Sequence, residues 1–165
     1  MKPTTELAIT LYFFKPTETN TSVADTLITW WTDGPYSHVE MTIDDIHIRT
    51  LGTEGGTTVS IGGNPVSDDE YTIDTISFKH IIPTEEYENL RKHLISLDGG
   101  GYDWTAIIMT NFLDTGVDEH DDYTCSEITA HILKIIGYHP FYNVRPRYQS
   151  PNSIYNIMQT TLEDG

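Results

Sequence analysis

The segment Tyr123-Thr124-Cys125-Ser126-Glu127 contains the only cysteine in the chain and directly precedes a run of apolar residues. Those residues recur at the spacing of one helix face: Ile128, Ile132, Leu133, Ile135 and Ile136. Thr124 and Glu127 stand three positions apart, which is the capping-box pattern of a helix start. We therefore predict a helix that begins at Cys125. The Thr124 hydroxyl would accept the backbone N–H of Glu127, and the Glu127 carboxylate would accept the N–H of Thr124.

A cysteine at the first position of a helix is a candidate nucleophile. The unpaired N–H groups and the positive end of the helix dipole favour the thiolate, which is the reactive form of cysteine. The competing interpretation is a small, buried, apolar residue, which is the commoner role of a lone cysteine. A base beside Cys125 would decide between the two, and His38 is the candidate base.

Length and composition limit the possible functions. The 165 residues, of which 38% are hydrophobic, predict a single domain over residues 1–165. A formal net charge of -16 with nine basic residues argues against a nucleic-acid partner or an anionic membrane. No stretch approaches the roughly 20 apolar residues of a membrane span. The absence of signal-peptide features and the single free cysteine favour a cytoplasmic location.

The fold class predicted is α+β, a small antiparallel sheet with helices packed against it. Segments rich in β-branched and aromatic residues predict five strands, at 7–14, 36–43, 46–50, 58–61 and 71–81. Apolar residues at helical spacing predict further helices at 23–31, 84–97, 106–113 and from 151 onward. Residues 138–149 are expected to be extended.

Capping residues and aromatic residues add detail to two of these helices. Thr21 or Ser22 is expected to cap the helix at 23–31, and Thr84 is expected to cap the helix at 84–97. The tryptophans Trp30 and Trp31 lie among apolar residues at helical spacing. We therefore expect them to anchor the core rather than to line a ligand site.

The strand at 36–43 carries the candidate base on a polar face. Successive side chains of a strand alternate, so His38, Glu40 and Thr42 share one face. A two-residue turn at 44–45 would bring the next strand back alongside, with Glu40 facing Arg49 and Thr42 facing His47. For His47 and Arg49 the favoured interpretation is an exposed hairpin edge with a cross-strand ion pair.

A cysteine nucleophile needs a base, and the base needs a third group that orients its imidazole. Cys125, His38 and a polar neighbour of the histidine meet that requirement. The competing interpretation is a zinc site, in which Cys125, His38 and His47 would be the ligands. The sequence lacks close-spaced ligand pairs such as C-x-x-C or H-x-x-x-H, so we expect no metal and no cofactor.

Three segments, in this order, resemble the permuted NlpC-type papain-like hydrolases. This group includes YiiX-like proteins and lecithin retinol acyltransferase-like enzymes. The matching segments are 29–41, which contains Tyr36-Ser37-His38-Val39, then Gly101-Tyr102-Asp103-Trp104, then Tyr123-Thr124-Cys125-Ser126-Glu127. The histidine precedes the cysteine, which is the permuted order, and the resemblance spans about residues 7–137.

The resemblance implies a circularly permuted papain-like arrangement and a cysteine hydrolase. Cys125 would be the nucleophile, and His38 would be the general base and later the acid for the leaving group. The oxyanion would lie near the Cys125 backbone N–H, with the Tyr102 hydroxyl as a helper.

The third catalytic member departs from the family pattern. The family places a polar residue on the strand after the histidine, and the matching position here is near Arg49-Thr50. A guanidinium cannot orient an imidazolium, because both are cationic donors. Glu40 is therefore the preferred third member, and His47 is the second choice.

The function predicted is that of a cysteine peptidase or amidase, which cleaves an amide or isopeptide bond through a thioester acyl-enzyme. Two alternatives stay open: an acyltransferase or thioesterase of the same fold, and a catalytically inactive structural or binding protein such as a virion component. The expected partner is a peptide, isopeptide or acylated substrate. Similar segments occur in tailed-phage proteins, so a viral origin, in the host cytoplasm or the virion, belongs to this expectation.

Overall fold

Five strands form one antiparallel sheet in the computed structural model, which describes residues 2–19, 22–51, 56–65, 69–100 and 124–163. The strands are β1 (Thr4–Pro16), β2 (His38–Ile43), β3 (Ile46–Leu51), β4 (Gly56–Ile61) and β5 (Tyr71–Pro83). Their order across the sheet is β4-β3-β2-β1-β5. All four neighbouring pairs are antiparallel, as the alternating sequence pattern predicts.

Four α-helices accompany the sheet in the described part of the chain. They are α1 (Val23–Trp31), α2 (Thr84–Ser96), α3 (Cys125–Ile135) and α4 (Pro151–Glu163). The prediction of an α+β fold with an antiparallel sheet is therefore confirmed. The helix predicted at 106–113 lies outside the described residues. No helix within those described ranges has both the length and the apolar character needed to cross a bilayer.

The core lies between one face of the sheet and helices α3 and α4. Alternate residues of β1 and β2 face each other across the ladder and are almost completely buried: Ile9 with Ile43, Leu11 with Met41, and Phe13 with Val39. Apolar residues of the two helices complete the same cluster: Ile128, Ile132, Leu133, Ile154 and Met158. Burial of each such side chain stabilises the fold by roughly 1.5–3 kcal/mol. This packing holds α3 against the strand that carries the candidate base.

Two local predictions are wrong. Residues 138–149 are not extended but form two short 3₁₀ turns, His139–Phe141 and Pro146–Tyr148. Each turn has a proline at its start, where the fixed φ of proline favours helical geometry. Thr84 is not the cap of α2 but its first residue, and the hydroxyl of Thr5 hydrogen-bonds to it over 3.0 Å.

Helix α1 has the predicted position but not the predicted burial. Ser22 caps it by accepting the backbone N–H of Asp25, which confirms one of the two predicted caps. Trp30 is 73% exposed, so it does not anchor the core. None of the described α1 side chains belongs to the core cluster. A polar contact ties the helix to β5 instead, because the Tyr71 hydroxyl donates to the Asp25 carboxylate over 2.6 Å.

A buried asparagine fixes the turn that leads from α1 into β2. The Asn152 side chain accepts the Tyr36 backbone N–H over 2.9 Å and donates to the Tyr36 carbonyl over 2.8 Å. It also donates to the Thr32 hydroxyl over 2.6 Å. A Cβ at Gly34 would lie 2.3 Å from Asn152 Cγ, so only glycine fits this approach. Helix α4 thereby holds the chain two residues before His38.

We expect Asn152→Ala to lower the free energy of unfolding by about 2–4 kcal/mol, because it leaves the buried backbone groups of Tyr36 without partners. Urea unfolding of the variant and the wild type measures this difference. The exposed Asn156 on the same helix provides the control, and Asn156→Ala should change stability by less than about 0.5 kcal/mol. Equal effects of the two substitutions would contradict the role assigned to Asn152.

Candidate active site

Cys125 is the first residue of α3, as the capping pattern predicts. Thr124 is the N-cap, and its hydroxyl accepts the Glu127 backbone N–H over 3.1 Å. The reciprocal bond from the Thr124 N–H to the Glu127 carboxylate stays a prediction. The Ser126 hydroxyl donates to the Gln149 carbonyl over 2.6 Å. This bond connects the first turn of α3 to the segment that precedes α4. Cys125 is a free thiol with 5% of its surface exposed.

His38 is the first residue of β2 and meets the N terminus of α3. Helix α3 packs against β2, and the Cys125 side chain interacts electrostatically with the imidazole. The Phe14 ring, across the β1–β2 ladder, lies 5.1 Å from the imidazole between ring centroids. Phe14 is 4% exposed, so it covers one side of the His38 ring with a buried aromatic surface. The structure therefore brings together the two residues that the sequence proposes as nucleophile and base.

Glu40 binds the other side of the His38 imidazole. His38 Nε2 lies 3.1 Å from Glu40 Oε1, which leaves Nδ1 as the ring nitrogen available to the thiol. The Glu40 side chain is 2% exposed, so its position is fixed by packing as well as by hydrogen bonds. A buried carboxylate that accepts from the far nitrogen orients the ring. Glu40, the third member preferred from the sequence, is thus hydrogen-bonded to His38, and its catalytic role stays a prediction.

Two residues of β3 also bind Glu40. His47 Nε2 lies 2.8 Å from Glu40 Oε2, and Arg49 Nε forms an ion pair of 3.1 Å with Glu40 Oε1. His47 Nδ1 lies 3.1 Å from the Thr42 hydroxyl, so His47 donates to Glu40 from Nε2 and accepts from Thr42 at Nδ1 when neutral. The predicted cross-strand ion pair is present. The predicted exposure of His47 is wrong, because only 4% of it is exposed.

The family-matched position for the third member does not face the histidine. Thr50 is 1% exposed, and its hydroxyl hydrogen-bonds to that of Thr57 on β4 over 3.0 Å. Arg49 reaches Glu40 rather than His38. Tyr102, expected as an oxyanion helper, lies outside the described residues.

The contacts shift the proton affinities of His38 and Glu40 in opposite directions. Burial by itself lowers the pKa of His38, but the charge and hydrogen bond of Cys125, and then those of Glu40, raise it to about 9. Burial by itself raises the pKa of Glu40, but the hydrogen bonds from His38 and His47 lower it to about 2. At neutral pH these shifts leave an imidazolium at His38 bound to the carboxylate of Glu40.

Three contributors to the site could not be identified from the sequence. Phe14, Ser126 and Asn152 act through packing or through bonds to residues distant in the chain. Only Ser126 carries a sequence signal, since it lies inside the cysteine segment. The contacts of Phe14 and Asn152 depend on strand register and helix packing, which sequence patterns do not specify.

No protein-family model matches the chain, and no curated protein matches it at a significant level.

The ionisation of Glu40 makes the free energy of unfolding depend on pH in the acid range. Its folded pKa of about 2 lies below its ordinary 4.5. The stabilisation is therefore complete above about pH 4.5 and is lost as pH falls toward 2. We expect the unfolding free energy of the wild type to fall more steeply in this window than that of Glu40→Gln, by up to ~1.4 kcal/mol per pH unit. Urea unfolding at a series of acid pH values measures both slopes.

A glutamate on the surface provides the control for this charge change. Glu85 is exposed and ion-paired with Lys2. Glu85→Gln should keep the steep acid slope of the wild type. Parallel curves for the wild type and Glu40→Gln would contradict the buried-carboxylate account.

Proposed function

We propose that the protein is a cysteine hydrolase that cleaves an amide or isopeptide bond through a thioester acyl-enzyme. The observation that carries this proposal is the electrostatic interaction of Cys125 with His38, whose Nε2 hydrogen-bonds to the buried carboxylate of Glu40. Nucleophile, base and orienting group in this order are the constellation of cysteine-based acyl transfer. The resemblance of residues 29–41 and 123–127 to the permuted NlpC-type hydrolases supports the same chemistry and a circularly permuted papain-like arrangement.

In the resting state the proton of the thiol resides on His38. The thiolate of Cys125 is stabilised by the imidazolium and by the N-terminal end of α3, which is positive. Low exposure of both side chains strengthens their attraction, because little water screens it. Glu40 balances the imidazolium from the other side and fixes the plane of the ring.

In the first half-reaction, Cys125 Sγ attacks the carbonyl carbon of the substrate and forms a tetrahedral oxyanion. The Cys125 backbone N–H lies at a helix start, where no intrahelical acceptor is present, and it can donate to this oxygen. His38 then gives its proton to the leaving amine. The C–N bond breaks, the amine departs and a thioester on Cys125 remains.

In the second half-reaction, neutral His38 takes a proton from a water molecule as that water attacks the thioester. The C–S bond breaks, the carboxylic acid product departs, and Cys125 and His38 return to the resting ion pair. An acyltransferase would use the same first half-reaction and replace water by another acceptor. Peptides, isopeptides and acylated molecules all supply the required carbonyl carbon.

The thiol reactivity of the native protein tests this proposal. We expect iodoacetamide to alkylate Cys125 rapidly at about pH 6, where a thiol with an ordinary pKa near 8.5 is almost fully protonated. We expect His38→Ala to slow this reaction at least tenfold, because the imidazolium that stabilises the thiolate is gone. Mass spectrometry of the alkylated protein measures both rates, and amide and ester substrates are then screened with the reactive protein.

His139 provides a matched control, because it is an exposed histidine outside the site. His139→Ala should leave the alkylation rate unchanged. A native thiol that stays inert until denaturant is added would exclude the enzyme and would favour the structural or binding alternative.

A further inference from the structure

Glu40 meets a different electrostatic environment at each stage of the proposed reaction, and this inference rests on that proposed function. In the resting state the His38 imidazolium neutralises the carboxylate. After His38 has given its proton to the leaving group, that cation is gone while Glu40 stays buried. A buried carboxylate without a counter-ion takes up a proton instead of remaining charged. A protonated Glu40 would accept from His38 only through a neutral oxygen, and the charge-assisted hydrogen bond that orients the ring for the second half-reaction would be lost.

The structure contains a second cation at the same carboxylate. Arg49 Nε lies 3.1 Å from Glu40 Oε1, the oxygen that also binds His38. The guanidinium carries a permanent charge, unlike an imidazole. Its side chain is 30% exposed, so water hydrates part of the charge while Nε is buried beside the carboxylate.

The other groups around Glu40 supply no further permanent charge among the described residues. Tyr12 is its partner across the β1–β2 ladder, and His47 donates to Oε2. On β4 the partners of His47 and Arg49 are the uncharged Ser60 and Thr58. Cys125 approaches from α3 on the far side of His38 and is itself neutral once acylated.

We propose that Arg49 is a positioning residue that acts through Glu40: it is the counter-ion that keeps this carboxylate ionised while His38 is neutral. Thiolate, imidazolium, carboxylate and guanidinium then alternate in sign in the resting state and sum to zero. In the acyl-enzyme the thiolate and the imidazolium are both neutral, and the pair of Glu40 and Arg49 alone still sums to zero. The charge of the site is thus balanced in both states.

Titration of Glu40 in the His38→Gln variant tests this role, because glutamine imitates an uncharged His38. The test needs no substrate and does not depend on the reactivity of Cys125. Carboxyl ¹³C NMR follows the ionisation, and Glu40→Gln identifies the signal. We expect Glu40 to titrate below its ordinary range in His38→Gln and at least about one pH unit higher in His38→Gln with Arg49→Gln. Arg49→Lys in the same background should restore most of the shift, because it restores the charge.

Arg91 provides the matched control, since it is an arginine ion-paired with Asp45 away from the site. Arg91→Gln in the same background should leave the Glu40 midpoint unchanged. An unchanged midpoint with Arg49→Gln, in protein that keeps its native spectrum, would overturn the proposal. A reactive thiol would still support the proposed function in that case, so the two failures are distinguishable.

The single variant Arg49→Gln gives an independent measurement in case the double variant does not fold. Once Cys125 is alkylated, the thiolate is absent and the pair of His38 and Glu40 remains. Removal of the competing cation should then raise the pH at which the His38 ring titrates by roughly one unit, with rescue by Arg49→Lys. The same titration midpoint of His38 in the alkylated wild type, Arg49→Gln and Arg49→Lys would overturn the proposal.

Discussion

A carboxylate inside a protein costs free energy to remove from water, and the Glu40 side chain is 2% exposed. This cost is offset because His38 and His47 hydrogen-bond to its two oxygens and the Arg49 guanidinium forms an ion pair with one of them. These three residues come from two adjacent strands, so their convergence depends on the register that pairs Thr42 with His47. A slip of one residue would move these side chains to the apolar face of the sheet. The site and the sheet register therefore depend on each other.

The rest of the fold serves to bring a helix start to this carboxylate and its histidine. Strand β1 is paired on both sides at the centre of the core, and α3 packs against the neighbouring strands β2 and β3. The cap at Thr124 sets where α3 begins, and Asn152 sets where β2 begins. These two fixed starts place Cys125 against His38, although 87 positions separate them in the sequence, since 125 minus 38 is 87.

Much of this arrangement could be predicted from the sequence, because it depends on interactions between residues that are close together in the chain. The cap at Thr124, the turn after β2 and the alternation of His38 with Glu40 depend only on neighbouring residues. Two errors are local, at residues 138–149 and at Thr84, and the others concern burial and distant contacts. The apolar spacing of α1 predicts its helix but not its environment, and Trp30 is exposed. The hairpin pattern predicts an exposed edge for His47, because it does not reveal that the neighbouring Glu40 is buried beside it.

The central claim is that Cys125 and His38 form a thiolate–imidazolium pair in the native protein. Ultraviolet difference absorbance between the wild type and Cys125→Ser detects the thiolate directly as a function of pH, without any reagent. The account predicts that the thiolate signal is present at about pH 6 and is lost there in His38→Ala. A signal that appears only above about pH 8.5 in both proteins, as for an ordinary thiol, would contradict the account.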